Sequence, residues 1–239
     1  MRVHVGTSGY SYKGWKGAFY PEDLTPDGFL AYYATKLRAV EINSTFYRFP
    51  SRPLLAAWAE QVPSGFLIAM KAPRKITHLL RLKDVAETAV PLVANARTLG
   101  DKLGPINFQL PPNFKKDIGR LRDFLAALPE GTRATFEFRH ESWFDDEVRA
   151  ALEAKRIALC VAETDDAEAP ADDLAAPIES TTDWGYLRLR RTDYTEEALA
   201  AWAERLRAQR WSEAYVFMKH EGPEAARLAL RLTDLFGAE

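Results

Sequence analysis

Three stretches of the chain alternate polar and charged side chains with bulky apolar residues. They are VEINSTFY (40–47), FEFRHESW (136–143) and GYLRLRR (185–191). A period of two is that of a β-strand, whose successive side chains point to opposite faces. Glu41, Asn43 and Thr45 then share one face, as do Glu137 and Arg139, and as do Tyr186, Arg188 and Arg190. INFQL (106–110) adds Asn107 and Gln109 on the same logic. Strands that turn carboxylates, amides and guanidinium groups to one side and Val, Ile, Phe and Leu to the other are expected to line a site.

The chemistry open to such a set is anion recognition with proton transfer. Arginine forks match phosphate and carboxylate oxygens. Counting Lys71, Glu163 and Lys219 at the ends of their strands, the inward charges are Glu41, Glu137 and Glu163 against Lys71, Arg139, Arg188, Arg190 and Lys219. Unpaired charge is costly in an enclosed site. The surplus of bases therefore predicts an anionic ligand, with Arg139, Arg188 and Arg190 holding it and Lys71 assisting. Glu41 and Glu137 are the candidates for acid–base work, and His140, which follows Arg139 directly, could relay protons. The alternative is a structural network in which the carboxylates only orient arginines.

Thr7, Ser8 and Tyr10 in GTSGYSYKGWKGAFYP (6–21) join the candidate binding set with Asn43, Gln109 and Lys219, because glycines there permit close backbone approach to a ligand. Trp15 and Trp143 read as rings plugging gaps between loops. His78, His140 and His220 with Glu41, Glu137 and Glu163 permit a divalent metal, although no His-x-His or His-Glu-x-x-His pair is present and no cofactor is required by any motif. His4, at the start of the first strand, is expected to be structural.

Positioning these residues takes eight strands: Arg2–Thr7, Ala39–Ser44, Phe66–Lys71, Pro105–Leu110, Ala134–Arg139, Ile157–Glu163, Gly185–Arg190 and Ala214–Lys219. Helical patterns separate most of them, over 27–38, 53–62, 82–99, 118–128, 145–155, 195–209 and 224–236. Strand and helix in alternation predict parallel strands joined by helical crossovers. Eight such units in 239 residues fit a TIM-type (β/α)8 barrel in one domain, 1–239. No Gly-x-Gly-x-x-Gly follows the first strand and no Walker-type loop occurs. The acidic, proline-containing segment 164–184 breaks the rhythm, and predicts an irregular sixth crossover that is either a passive connector or a lid.

Composition narrows the function classes. With 47% apolar residues a large core is expected, and a formal charge of −2 excludes a globally basic nucleic-acid coat. The single cysteine, Cys160, lies in the apolar run IALCVA and reads as a small core residue. No membrane-spanning run or secretory leader is apparent, so a cytoplasmic location is expected.

GTSGYSYKGWKGAFYP (6–21), VEINSTFYRFP (40–50), LGPINFQLPPNF (103–114), FEFRHESWF (136–144) and DWGYLRLRR (183–191) resemble, in order and over almost the whole chain, the YecE-like family, domain of unknown function 72. The resemblance implies a TIM-type barrel and supplies no activity. The chain departs from the family pattern with Tyr10 in place of a usual Trp, Arg190–Arg191 in place of His-Gly, and Lys219–His220–Glu221 in place of Asn-Asn-Asp. Three functional expectations stand: an enzyme (isomerase, lyase or hydrolase) acting on a small, phosphorylated anion; a metal-assisted phosphodiester hydrolase acting on nucleic acid; and a module that binds an anion or nucleic acid without turnover.

Overall fold

The computed structural model of the protein describes residues 1–163 and 178–237. Eight parallel strands close into a barrel in sequence order: β1 (Arg2–Ser8), β2 (Ala39–Ile42), β3 (Leu67–Lys71), β4 (Leu103–Gln109), β5 (Ala134–Glu137), β6 (Ala158–Ala162), β7 (Trp184–Leu189) and β8 (Glu213–Met218). The helices outside it are α1 (Phe29–Ala34), α2 (Arg52–Gln61), α3 (Val85–Ala96), α4 (Ile118–Ala127), α5 (Asp146–Ala154), α6 (Glu196–Arg207) and α7 (Glu224–Phe236). The TIM-type architecture expected from the alternating pattern is thus the one observed. Among the described residues no helix is long and apolar enough to cross a membrane. Most of the expected irregular crossover, residues 164–177, lies outside the described residues.

Side-chain alternation sorts the core into two compartments. Outward residues such as Ile68, Ile106, Phe108, Phe136, Leu187 and Val216 pack under the helices in one continuous apolar layer. Inward residues form a second, separate cluster: Ala39, Ala69, Ala158, Cys160 and Ala162 from β2, β3 and β6 face Trp184, Tyr186, Tyr215 and Phe217 from β7 and β8. The lumen is filled by small side chains on one side and rings on the other. Cys160 is part of this filling, and burial pushes its thiol well above the ordinary range.

Capping explains several boundaries. The side chains of Asp117, Asp145 and Thr195 accept from the backbone N–H of Arg120, Val148 and Ala198, closing the first turns of α4, α5 and α6. Two of the boundaries that differ from the pattern-based expectation have a plain local cause. β2 stops at Ile42 because Ser44–Phe46 forms a 3₁₀ turn, in which the buried Thr45 hydroxyl lies 2.7 Å from the carbonyls of both Ile42 and Lys71. The helix expected from Leu82 starts only at Val85, because Arg81, Leu82 and Asp84 take positive φ values of 49°, 67° and 53°, where an L-residue cannot propagate a right-handed helix.

At the amino-terminal end of the barrel, His4, Arg133, Glu213 and Tyr215 form a plug. Glu213 takes hydrogen bonds or ion pairs from the other three at 2.6–3.1 Å, and the His4 ring stacks on Tyr215. This confirms a structural place for His4. A cavity of about 900 Å³ opens beside the plug, between the start of β1 and the 34–38 and 63–67 loops.

β1 runs close to its neighbour. A Cβ on Gly6 would stand 1.9 Å from the Ala39 carbonyl oxygen, and the Tyr33 hydroxyl fills the remaining space, bonded to Ala39 O at 3.0 Å and to Thr7 N at 2.8 Å. Gly6→Ala is therefore expected to destabilise the fold by about 3 kcal/mol, the upper end of overpacking costs. Gly14→Ala, where nothing lies within 4 Å, should change it by less than about 0.5 kcal/mol. Urea midpoints of the two variants check this, and equal midpoints would contradict the close approach at Gly6.

Candidate functional site

The carboxyl ends of the strands carry the residues picked out by alternation. At their centre Arg188, on β7, is fully buried in the lumen. Its Nε and Nη2 donate to Glu41 Oε1 at 3.1 and 2.9 Å, and Nη2 also reaches Asn43 Oδ1 at 3.2 Å. Its Nη1 donates to Glu137 Oε2 at 2.6 Å and approaches Gln109 Oε1 at 3.5 Å. A guanidinium has five N–H donors, and here each faces a protein oxygen. The sequence predicted a direct anion contact for Arg188. The structure gives it instead the part of a central tie between β2, β4, β5 and β7.

Both carboxylates are equally occupied. Glu41 accepts from Ser8 Oγ at 2.5 Å and from the Tyr186 hydroxyl at 2.6 Å, besides Arg188. Glu137 Oε1 accepts from Arg139 at 2.6 Å and Arg190 at 3.1 Å, while Oε2 takes Arg188 and, at 3.2 Å, Asn107. Burial alone would raise the Glu137 carboxyl. The charges of Arg188 and Arg139 and the hydrogen bonds from Arg188 and Asn107 outweigh it and hold the group at about 2. Glu137 is therefore an ionised hub for three arginines at neutral pH and has no proton to give. Burial and the neighbouring Glu41 keep the Tyr186 phenol protonated well beyond its usual range.

Around this floor stands a half-buried rim: Asn43, Lys71, Gln109, Arg139, His140, Arg190 and Lys219. Arg139 and Arg190 lie past the ends of β5 and β7, yet both still turn to Glu137. The Lys71 ammonium sits 4.2 Å from the centroid of the Phe46 ring. Burial first, and then the charge of Arg188, lower its pKa to about 8, with Lys219 acting the same way and Glu137 and Glu41 opposing. His78, on a π-helical turn (Lys75–Leu79) after β3, packs edge-on against Phe46. Its pKa is lowered by burial and by Lys71, Arg74 and Arg81, all cations.

Several predicted residues have other duties. Glu163 does not face the lumen. It accepts from the backbone N–H of Arg190 at 2.6 Å and from the Tyr194 hydroxyl, and so braces the loop after β7. His140 Nδ1 accepts from Ser142 N at 3.1 Å, capping a 3₁₀ turn over Glu141–Trp143. Thr7 is buried, with its hydroxyl on Gly9 O and Tyr33. Ser8 serves Glu41, and Tyr10 packs against Tyr33. Trp15 and Trp143 are buried, their indole N–H groups on the carbonyls of Glu221 and Phe114, as expected of gap-filling rings.

With Glu163 turned away, the inner charges among the described residues become Glu41 and Glu137 against Arg188, Arg139, Arg190, Lys71 and Lys219. The basic surplus is larger than the sequence count gave. Tyr186 was missed as a site residue. Its phenol is a hidden partner of Glu41, and its place two residues before Arg188 on the inward face was the available signal. Among the described residues no three His, Cys, Asp or Glu side chains come together as a metal site.

The chain matches a family model, described as "Protein of unknown function DUF72", over residues 4–239. The UPF0759 protein YecE of Escherichia coli K12 is 28% identical over 113 residues, which span 47% of this chain and 42% of that protein, less than half its length. A DUF72 family protein from Thermotoga maritima MSB8 superposes with a TM-score of 0.78 at 28% identity, covering 100% of both chains. Another, from Enterococcus faecalis V583, shares the fold with a TM-score of 0.76 at 18% identity over 100% of this chain and 98% of the other. The motifs first read as a resemblance are those of a full-length match, and the chain belongs to the DUF72 family of proteins of unknown function.

Proposed function

We propose that the carboxyl end of the barrel binds a small anionic molecule, a phosphorylated compound for choice. The observation that carries this reading is a gathering of basic side chains: among the described residues, Lys71 from β3 and Lys219 after β8 have no acid within ion-pair distance, and they stand beside three arginines that share two buried, saturated carboxylates. Arg139, Arg190, Lys71 and Lys219 are the contacts, because they stand at the part-buried rim above the saturated floor, and Asn43 and Gln109 supply amide groups beside them. Arg188 acts from below as a fixed charge, and Glu41 and Glu137 hold the arginines in place. That role suits carboxylates whose oxygens are all engaged better than proton transfer does. His140, part-buried at the rim and engaged with no arginine among the described residues, is the better placed proton carrier of the three candidates.

The metal-assisted reading on nucleic acid has less support. It would need Glu41 and Glu137 to release arginines before taking an ion, and His78, His140 and His220 do not gather with them.

Binding is checked by thermal shift with inorganic phosphate and phosphorylated sugars. A ligand at one hundred times its dissociation constant should add about 2.7 kcal/mol to stability. Arg139→Gln or Lys219→Ala should weaken it about tenfold or more, the worth of one charge-assisted hydrogen bond. An unmoved melting curve with every anion tested would remove the reading.

The holding role of Glu137 has its own signature. Its pKa in the folded state, about 2, lies below the ordinary 4.5. Its contribution to stability is therefore complete above pH about 4.5 and is lost as pH falls toward 2. Glu137→Gln should lower stability at pH 7 by about 3 kcal/mol or more, the typical cost of breaking a buried pair. It should also flatten the acid limb relative to the parent, leaving the part due to Glu213, likewise held at about 2. Parallel acid limbs in urea titrations would refute the assignment.

A further inference from the structure

Lys71 differs from the arginines of the rim. Arg139, Arg188 and Arg190 share the two carboxylates of the lumen, and among the described residues no acid lies within ion-pair distance of Lys71. Its amine rests instead against the face of Phe46. Its backbone is pinned, since the Lys71 carbonyl accepts from Thr45 Oγ1 at 2.7 Å and the next residue, Ala72, donates to Asn107 O at 2.8 Å. The result is a lysine with a fixed root, an apolar ring on one side, cations near it and, among the described residues, no carboxylate within ion-pair distance. Such surroundings favour the neutral, nucleophilic amine, and the carboxyl end of a barrel strand is where a reactive group meets its substrate in this architecture.

We propose that Lys71 is a nucleophile that forms an imine with the carbonyl carbon of an anionic aldehyde or ketone. The inference rests on the anion-binding reading and narrows it to ligands that carry a carbonyl beside their charged group. The Nζ lone pair attacks the carbonyl carbon, and a C–N bond forms as the C=O π bond gives its electrons to oxygen. One Nζ proton passes through solvent to that oxygen, giving a carbinolamine. The C–O bond then breaks, and oxygen leaves as water with the second Nζ hydrogen. Amine and carbonyl become imine and water, and nothing is oxidised or reduced.

Lys71 is faced by Arg188 from β7, Glu137 from β5, Glu41 from β2 and Lys219 from the end of β8, with His78 beside it on the following turn. The two cations and burial favour loss of its proton, and the two carboxylates oppose it. With a pKa of about 8 the reactive neutral form grows as pH rises through 8, whereas an ordinary lysine needs a pH of about 10.4.

The test uses two probes with the same ring and phosphate: pyridoxal 5′-phosphate, which has an aldehyde, and pyridoxine 5′-phosphate, which has none. The full chain is incubated with each, treated with borohydride to reduce any imine, and mapped by peptide mass spectrometry. Both compounds should raise Tm, and inorganic phosphate should compete with both. Only the aldehyde should leave an adduct, on Lys71 ahead of exposed lysines such as Lys13, Lys36 and Lys115. Its labelling rate should rise with a midpoint near pH 8. Lys71→Arg should lose that adduct and keep the Tm shift from pyridoxine 5′-phosphate. If the variant does not fold, the map of the parent protein still decides. Binding of both probes with Lys71 unmodified would overturn the imine and leave the anion site standing. Binding of neither would overturn both.

Discussion

A single buried guanidinium holds the working end of this barrel together. Arg188 starts on β7 and reaches across the lumen to Glu41 on β2 and Glu137 on β5, with Asn43 and Gln109 completing its donors. A buried charge is tolerable only when paired and fully hydrogen-bonded. The positions of both carboxylates, and of the arginines that share Glu137, are consequences of satisfying this one group. The small side chains of β2, β3 and β6 matter for the same reason. Rings crowd the β7–β8 side of the lumen, and the alanines opposite leave room for a long side chain to cross.

Saturation of the floor transfers the open chemistry to the rim. Groups with every hydrogen-bonding site engaged are poor contacts for a ligand, however well they face the site. Among the described residues, what remains is a set of cations above a neutralised centre, in which Lys71 rests on an aromatic face rather than on an acid. The loop after β3 adds to this character: His78, Arg74 and Arg81 cluster there, and three non-glycine residues hold left-handed backbone.

Strand order and the inward faces were legible from local pattern, because a period of two is written into neighbouring residues. Glu41, Asn107, Glu137 and Arg188 were all assigned to the lumen correctly. Which of them would meet was not legible, since the partners of Arg188 lie 51 and 147 residues away and their pairing depends on barrel closure. Glu163 was misplaced because the period of two was not carried through β6: it follows the inward Ala162 directly and so turns outward, where the backbone N–H of Arg190 meets it. His140 reads as a rim residue in both views, but its capping of Ser142 N needs a turn that the sequence signals only weakly. The early stop of β2 rests on a threonine hydroxyl bridging two strand ends, a feature without a periodic signature.

The seam between β1 and β2 has a geometric corollary. β1 pairs with β8 from Arg2 onward but with β2 only from Gly6 to Ser8. Closing a sheet into a tube requires such a stagger, and the first four residues of β1, Arg2 to Val5, are left with one neighbour. The opening at the amino-terminal end lies along that unzipped edge. It is thus a wedge left by the shear of the cylinder, an architectural remainder whose size follows from strand offset rather than from the shape of any guest.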